Sequence, residues 1–371
     1  MEGRRRPVFC VLGAGHGGTA MAAHLRLMGF EVRLYNRSEE RIAPIRAAGG
    51  IELLTPGLED MPHGFARLEV VTSNIAEAME GADVLMVVVP AYGHAFMAEQ
   101  MAPHLKDGQI VVLNPGRTGG ALEVRKILKE KGVRADVLVA EAQTFLYAAR
   151  LMNPAQVRIF RVKYAIPVAA LPAYRTPEVV RALRVAFPQF VPGDNVIKTG
   201  MENIGAIFHP AVTVLNAARI ESTRGDFDYY IEGITPSVAK VLEAMDRERV
   251  GVAEALGFRV LTAREWLYIA YHAAGRNLYE AIQANLGYQG IRAPSMLDHR
   301  YITEDVPMSL VPIASLGDML GAPTPTIKSI IHLASVLHGR DFWAEGRTVE
   351  RLGLAGLDVK QIRRLVLEGE I

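Results

Sequence analysis

The sequence contains little that could cross-link the chain or anchor it in a membrane. Cys10 is the single cysteine among 371 residues, which excludes an intrachain disulfide and any metal site built on paired cysteines. No apolar run reaches the roughly 18 residues that a transmembrane helix needs. The formal net charge is +1, so neither nucleic acid nor a membrane surface is an expected partner. These absences favour a soluble cytoplasmic protein without a metal site.

Near its start the chain contains a glycine-rich turn between two apolar segments. The apolar residues 8–12 are followed by Gly13, and Gly13, Gly15 and Gly18 fit the pattern G-x-G-x-x-G. A buried strand before the turn and a helix over residues 19–28 after it are the order found in dinucleotide-binding βαβ units. We predict that Gly13, Gly15, His16, Gly17 and Gly18 bind the pyrophosphate of a nicotinamide dinucleotide. A glycine-rich turn in another kind of α/β protein is the alternative.

Residues that follow the later predicted strands are candidates to bind the other parts of the cofactor. NAD sites usually place Asp or Glu at the end of the second strand, whereas this chain has Asn36 followed by Arg37. The Arg37 guanidinium could pair with a 2′-phosphate, so we predict that NADP is preferred, with NAD as the alternative. Pro90, Asn114 and Gly116 follow the ends of further strands, where doubly wound sheets bind ligands, and they join the predicted cofactor site.

The order of predicted elements divides the chain in two. At 371 residues the chain is long for one domain and comfortable for two. Strands alternate with helices as far as residue 192, including strands predicted to finish the sheet beyond residue 157. Later apolar residues recur at helical spacing. We predict an α/β domain over 1–192, with a doubly wound parallel sheet of the Rossmann type, and a mostly helical domain over 193–371.

One histidine in the helical half lies within an apolar helix predicted for residues 200–220. His209 precedes Pro210, which lacks the N–H that would bond to Ala206 and should kink the helix. Imidazole titrates near neutral pH, so His209 is a candidate acid/base; a structural histidine in the core is the alternative. Asn203 is a candidate substrate contact, with a helix surface residue as the alternative.

A dense polar stretch follows at residues 298–307, with the sequence D-H-R-Y-I-T-E-D-V-P. In the functional interpretation of this stretch, Arg300 is a clamp that binds a substrate carboxylate. Asp305 is then a carboxylate that orients a histidine. A solvated charged loop is the alternative.

Together these motifs resemble those of the octopine/nopaline dehydrogenase family, the opine dehydrogenases. The matching segments, in order, are G-A-G-H-G-G, V-P-A-Y-G-H, N-P-G-R-T-G-G, A-E-A-Q-T-F-L-Y-A-A-R, N-I-G-A-I-F-H-P and R-Y-I-T-E-D-V-P. The resemblance implies a second domain like that of 6-phosphogluconate dehydrogenase. It also implies a reductive condensation, in which an amino acid and a 2-oxo acid form an imine that NAD(P)H reduces to a secondary amine.

The resemblance implies roles for single residues as well. His209 would be the acid/base, Asp305 its partner, and Arg300 the group that holds the oxo-acid carboxylate. Glu141 and Arg150 fall in a segment where family members often read E-T-x-T-L-P-Y and this chain reads E-A-Q-T-F-L-Y. We expect both residues, with Asn203, to contact the substrate.

Two other functions stay open at this point. A 2- or 3-hydroxy-acid, ketopantoate or glycerol-3-phosphate type of dehydrogenase resembles this architecture, but such enzymes use a catalytic lysine in the corresponding helix. Residues 200–220 contain no lysine, and Lys198 lies just outside them. A non-catalytic NADP-binding sensor is the third hypothesis. The sequence does not identify the amino acid or the oxo acid. It also leaves the oligomeric state open, and a homodimer is one of the assemblies it allows.

Overall fold

The computed structural model describes residues 5–370, so residues 1–4 and 371, which the predicted domains include, lie outside the described residues. Contacts between residues divide the chain into two compact units. The first unit comprises the residues up to Gly116, Gly120–Thr199 and Leu365–Glu370, and the second comprises Arg117–Gly119 and Gly200–Arg364. Arg117–Gly119 therefore belongs to the second unit although it lies, in sequence, between two elements of the first.

The first unit contains two β-sheets. Its strands are β1 (Phe9–Leu12), β2 (Val32–Tyr35), β3 (Gly50–Leu54), β4 (Gly64–Arg67), β5 (Val70–Thr72), β6 (Val84–Val87), β7 (Ile110–Leu113), β8 (Leu138–Ala142), β9 (Tyr147–Asn153), β10 (Gln156–Val162), β11 (Ile166–Leu171) and β12 (Phe190–Pro192). The main sheet has the order β12-β11-β8-β7-β6-β1-β2-β5, and the second sheet has the order β4-β3-β10-β9.

The main sheet is mostly parallel, as predicted. β1 pairs in parallel with both β2 and β6, and β7 lies in parallel register between β6 and β8. β1, β6 and β7 are fully buried, which explains why each reads as an unbroken apolar run. At one edge β11 runs antiparallel to β8.

The second sheet corrects one part of the prediction. Residues 157–164 do not finish the main sheet, because β10 pairs antiparallel with β9 and parallel with β3. Along β10, Val157 and Ile159 are buried while their neighbours are more exposed, the alternation of a strand with one covered face. The short β9–β10 connection favours this local hairpin over a place in the main sheet.

Seven helices begin in the first unit and eleven lie in or begin in the second, within residues 5–370. The first set is α1 (His16–Leu27), α2 (Glu39–Ala48), α3 (Ile75–Met79), α4 (His94–Met101), α5 (Gly120–Glu130), α6 (Thr176–Arg184) and α7 (Val196–Met201). The second set is α8 (Gly205–Leu215), α9 (Ala217–Thr223), α10 (Pro236–Ala255), α11 (Ala263–Tyr271), α12 (Leu278–Gln283), α13 (Arg300–Thr303), α14 (Val311–Leu320), α15 (Pro325–His338), α16 (Phe342–Glu345), α17 (Val349–Leu352) and α18 (Val359–Glu368).

The long helix predicted over residues 200–220 is wrong, because the structure divides it into α7, α8 and α9. α8 continues through Pro210 to Leu215, so the chain breaks elsewhere than at the proline. At the first break the buried Arg249 donates to the carbonyl of Met201 at 2.7 Å. At the second, the Asn216 amide donates to the carbonyls of Val212 and Gly233, each at 2.9 Å. Side chains thus satisfy backbone groups at both breaks.

The polar stretch at residues 298–307 is not a solvated loop. It forms α13 and enters a π-helical turn, Val306–Leu310, that leads directly into α14. Glu304 and Asp305, between α13 and this turn, are buried. Buried carboxylates need partners, so this segment belongs to a specific polar network.

The α/β fold with a helical second unit is confirmed. Within residues 5–370 no helix has the length and apolar character needed to cross a bilayer.

The glycine turn shows why two of its glycines are required by the fold. Gly13 has a φ of +117°, which side chains rarely adopt, and a Cβ there would lie 2.4 Å from the Val88 carbonyl oxygen. A Cβ on Gly18 would lie 1.7 Å from the Gly13 carbonyl oxygen, so α1 can pack this close to β1 only with glycine. A Cβ on Gly15 would meet nothing within 4 Å; packing does not require glycine there.

We therefore expect Gly18→Ala to lower the stability of the first unit by about 2 kcal/mol or more, because the obstructing atom is backbone. Gly15→Ala should melt close to the unsubstituted protein. Thermal unfolding followed by circular dichroism measures both variants. Equal melting temperatures for Gly18→Ala and Gly15→Ala would contradict the close approach of α1 to β1.

Candidate active site

The first unit positions the predicted dinucleotide turn with a single asparagine. Asn36 follows β2; its Oδ1 accepts from the Ala14 N–H at 3.1 Å and its amide donates to the Ser38 carbonyl at 3.2 Å. This holds the turn against the end of β2. The N-cap of α1, Gly15, supplies no side-chain cap, so the first N–H groups of the helix are available to an anion.

Two more of the predicted cofactor residues lie beside this turn. The Nδ1 of His16, in the first turn of α1, accepts from the Leu151 N–H at 2.9 Å. Arg37 is exposed, with its guanidinium 5.3 Å from the centroid of the Phe96 ring. An exposed guanidinium held over a ring keeps its N–H groups at the edge, where they can reach a phosphate.

The strand ends of the main sheet hold the other predicted cofactor residues. Pro90 follows β6 and precedes a short 3₁₀ turn into α4. Asn114 follows β7 and is buried; its amide donates to the Val112 carbonyl at 2.9 Å, while its Oδ1 has no partner among the described residues. Gly116 donates its N–H to the Ala142 carbonyl at 3.1 Å. A buried acceptor without a partner at the end of a strand of this sheet fits a ligand that brings its own donors.

Glu141 and Arg150, both predicted substrate contacts, lie in different surroundings. Glu141 is 0% exposed, accepting from the Ala121 N–H at 2.8 Å and from the Thr199 hydroxyl at 2.9 Å. Its carboxylate therefore holds the first turn of α5, where negative charge is favourable. Arg150 is exposed on β9, opposite Arg158 in the second sheet.

The second unit brings His209 and Asp305 together across 96 residues of sequence. His209 lies in α8 with its side chain 19% exposed, and Asp305 is fully buried. His209 Nδ1 lies 2.8 Å from Asp305 Oδ2. Because a carboxylate only accepts hydrogen bonds, Nδ1 is the nitrogen that carries the proton. In the neutral ring Nε2 is then an acceptor.

Tyrosines complete the surroundings of the imidazole. The Tyr230 hydroxyl donates to His209 Nε2 at 3.1 Å, and burial raises the pKa of Tyr230 well above its ordinary value, so this hydroxyl stays protonated. Tyr301 stacks on the imidazole with ring centroids 4.1 Å apart. The Tyr229 hydroxyl donates to the His209 carbonyl at 2.8 Å. The imidazole is thus held at both nitrogens and on one face, and the backbone of His209 is held at its carbonyl.

A buried cation that sequence reasoning missed lies behind Asp305. Arg117 Nη1 forms an ion pair with Asp305 Oδ1 at 2.7 Å, and Nη2 lies 3.4 Å from Glu304 Oε2. Arg300, the predicted clamp, pairs with Glu304 at 2.8 Å and has a side chain that is 58% exposed. The N-P-G-R-T-G-G motif contains Arg117, but only the fold brings it beside residues almost 190 positions later.

Asn203 lies just before α8. A Cβ on Gly205 would lie 3.0 Å from His209 Cε1 and 3.3 Å from Asn203 Oδ1, so the glycine gives both side chains room on the same turn. The Asn203 amide nitrogen is buried without a partner among the described residues. Buried donors normally have a partner, so this amide nitrogen is unusual among the described residues.

α8 contains no lysine that could act as an acid or base. Lys198, the lysine nearest in sequence to α8, pairs with Asp194 at 3.2 Å. Over residues 5–370, no group of three or more His, Cys, Asp or Glu side chains is arranged to hold a metal ion.

Comparison with known proteins identifies the family of this chain. Residues 192–338 match the family described as NAD/NADP octopine/nopaline dehydrogenase, alpha-helical domain. An opine dehydrogenase from Arthrobacter sp. (strain 1C) is 42% identical over 358 residues, covering 96% of this chain and 98% of its own. The chain belongs to the opine dehydrogenase family. It is an NAD(P)-dependent oxidoreductase of the opine dehydrogenase type.

Solved structures of this family share the fold. An octopine dehydrogenase in complex with NADH and agmatine superposes with a TM-score of 0.82 at 22% identity, covering 98% of each chain. A yersinopine dehydrogenase with NADP⁺ bound gives 0.74 at 16% identity over 98% of each chain. Residues 8–134 match the N-terminal domain of NAD-dependent glycerol-3-phosphate dehydrogenase. The helical domain, without a catalytic lysine in α8, separates this opine dehydrogenase from that second group.

Glu141→Gln tests what the buried carboxylate does. Glutamine offers one acceptor where two donors point at Glu141, so we expect a loss of about 1–3 kcal/mol in unfolding free energy. Thr199→Val, which removes one of those donors and leaves the carboxylate, is the matched control. If Glu141 also contacts substrate, as predicted, its variant alone should raise the KM for a substrate; an unchanged KM in both variants would contradict that prediction.

Proposed function

We propose that this opine dehydrogenase joins the α-amine of an amino acid to a 2-oxo acid, and that His209 is the acid/base of the reaction. The observation that supports the proposal is the His209–Asp305 pair, whose buried carboxylate makes Nε2 the reactive nitrogen. When bound, NAD(P)H supplies the hydride that reduces the imine carbon.

His209 would handle the proton of the condensation. Nε2–H of the imidazolium would donate to the oxygen that leaves as water when the imine forms, and Nε2 would take the proton back in the reverse direction. Asp305 would stabilise the imidazolium through Nδ1. Because Tyr230 donates to the neutral Nε2, its hydroxyl must rotate to accept once Nε2 is protonated.

Arg300 and Asn203 are the proposed substrate contacts nearest this pair. Arg300 uses Nε and Nη2 to bind Glu304 and keeps most of its side chain exposed, so its outer edge can bind the oxo-acid carboxylate. The partnerless amide nitrogen of Asn203 can donate to a second polar group of the substrate. Glu141 and Arg150 stay predictions as substrate contacts.

For the cofactor, we propose residues 1–192 as the binding domain and residues 193–371 as the substrate domain, with NADP preferred over NAD. The proposed contacts share one feature, their place at the strand ends or the first turn of α1: Gly13, Gly15, His16, Gly17, Gly18, Asn36, Arg37, Pro90, Asn114 and Gly116. The supporting observation is that an exposed Arg37, rather than an acidic residue, follows Asn36. The homodimer and the cytoplasmic location stay predictions.

Product identification with labelled cofactor tests the function. NADPH carrying deuterium at both C4 positions is incubated with pyruvate, 2-oxoglutarate or glyoxylate against a panel of amino acids, and products are analysed by mass spectrometry. The proposal predicts a secondary amine with one deuterium on the former oxo carbon. A deuterated 2-hydroxy acid formed without any amine would contradict it and favour a hydroxy-acid dehydrogenase.

His209 and Asp305 should behave as one catalytic unit. We expect His209→Ala to lower kcat by about 10²–10⁴-fold and to leave NADPH binding nearly unchanged. Asp305→Asn should also lower kcat, and the double variant should be little worse than His209→Ala, since coupled groups lose their effects together. Steady-state kinetics and cofactor titration measure these effects; a destabilised but fully active His209→Ala enzyme would refute the assignment.

Arg37→Asp should shift cofactor preference toward NADH. Loss of the guanidinium and a new repulsion of the 2′-phosphate are together worth about 1–3 kcal/mol, so the ratio of kcat/KM for NADPH over NADH should fall roughly 10- to 100-fold. Arg181→Asp, an exposed arginine on α6, changes the net charge equally and is the control. Equal kcat/KM for both cofactors in the unsubstituted enzyme would refute the NADP preference.

A further inference from the structure

Arg117 occupies an unusual backbone position. It lies between β7 and α5 but belongs to the helical unit, and its φ of +57° is in the left-handed region that non-glycine residues seldom adopt. The side chain is only 8% exposed. Burial of the charge and the uncommon backbone conformation each lower the stability of the folded state. The contacts of Arg117 should therefore include interactions that offset both effects.

Those contacts are two consecutive buried carboxylates. Glu304 is 1% exposed and Asp305 0%, and two adjacent anions without water need a buried cation. Arg300 serves Glu304 alone, through a mostly exposed side chain. Arg117 reaches both, and it meets Asp305 on Oδ1, the oxygen opposite the Oδ2 that accepts from His209.

This arrangement fixes the carboxylate of Asp305 from behind. Arg117 Nη1 lies 2.7 Å from Oδ1 but is not aligned to form a hydrogen bond with it. The ion pair, rather than a hydrogen bond, therefore opposes rotation of the carboxylate about its Cβ–Cγ bond. Rotation would otherwise let Oδ2 leave Nδ1, and the imidazole would lose the partner that selects its tautomer. Arg117 thus orients His209 although no contact between the two is required.

We infer that Arg117 is a positioning residue of the acid/base pair: it holds Asp305 in the orientation that keeps the proton of His209 on Nδ1. The kinetic part of this inference rests on the proposed function. A merely structural ion pair would contribute to folding and leave the tautomer of His209 unchanged.

Nuclear magnetic resonance of ring-labelled histidine tests the orientation without any substrate. The protein has 10 histidines, and loss of one signal in His209→Gln assigns that of His209. In Arg117→Gln the neutral ring should carry its proton on Nδ1 in a smaller fraction of molecules than in the unsubstituted protein, because Asp305 Oδ2 is held less firmly at Nδ1. Arg249→Gln, which removes a fully buried arginine paired with Asp246 in the same unit, should leave the tautomer unchanged. A tautomer in Arg117→Gln equal to that of the unsubstituted protein would overturn the inference.

Steady-state kinetics test whether Arg117 orients Asp305. Arg117→Lys keeps the charge but not the fork, so kcat should fall about tenfold with little change in cofactor KM. Arg117→Gln combined with Asp305→Asn should be little worse than Asp305→Asn alone. If Arg117→Gln does not fold, Arg117→Lys decides, and full activity in it would overturn the inference. An unsubstituted protein that forms no secondary amine would refute the proposed function and leave the tautomer result standing.

Discussion

The hydrogen bond between His209 and Asp305 is the interaction on which the proposed chemistry of this protein depends. It joins α8 to the junction of α13 and the π-helical turn, at a separation of 2.8 Å. Arg117 forms an ion pair with the buried carboxylate, and Tyr301 stacks on the imidazole. The helical unit thus surrounds the ring with charged and aromatic groups, and in the proposed function Nε2 is the nitrogen that exchanges a proton with the substrate.

The dinucleotide half was largely predictable because its signals are local. An apolar run, three spaced glycines and a following helix are adjacent in sequence, and steric limits at Gly13 and Gly18 leave few other structures for them. The second sheet was not predicted as such. Val157 and Ile159 alternate with less buried neighbours, and that period-two pattern, distinct from the continuous run of β1, is the signal that could have separated the two sheets.

The site was predictable only in part, for a physical reason. His209 and Asp305 were each candidates from their own segments, but their pairing came from the resemblance to a family, since 96 residues separate them and spacing alone cannot bring them together. Arg117 and Tyr230 were not predicted as site residues. An arginine in a glycine-rich loop and a tyrosine in an aromatic stretch can have many roles, and only the tertiary contacts show which role each residue has. Helical periodicity also ran through residues 200–220, whereas Arg249 and Asn216 satisfy backbone groups at breaks that the pattern does not reveal.

The central claim is that Asp305 holds the proton of His209 on Nδ1 and leaves Nε2 for chemistry. Long-range ¹H–¹⁵N correlation of ring-labelled His209, recorded on the unliganded protein at a pH where the ring is neutral, measures the tautomer directly. The account predicts a protonated Nδ1 and an unprotonated Nε2, with this preference weakened in Asp305→Asn. A neutral His209 that carries its proton on Nε2 would contradict it.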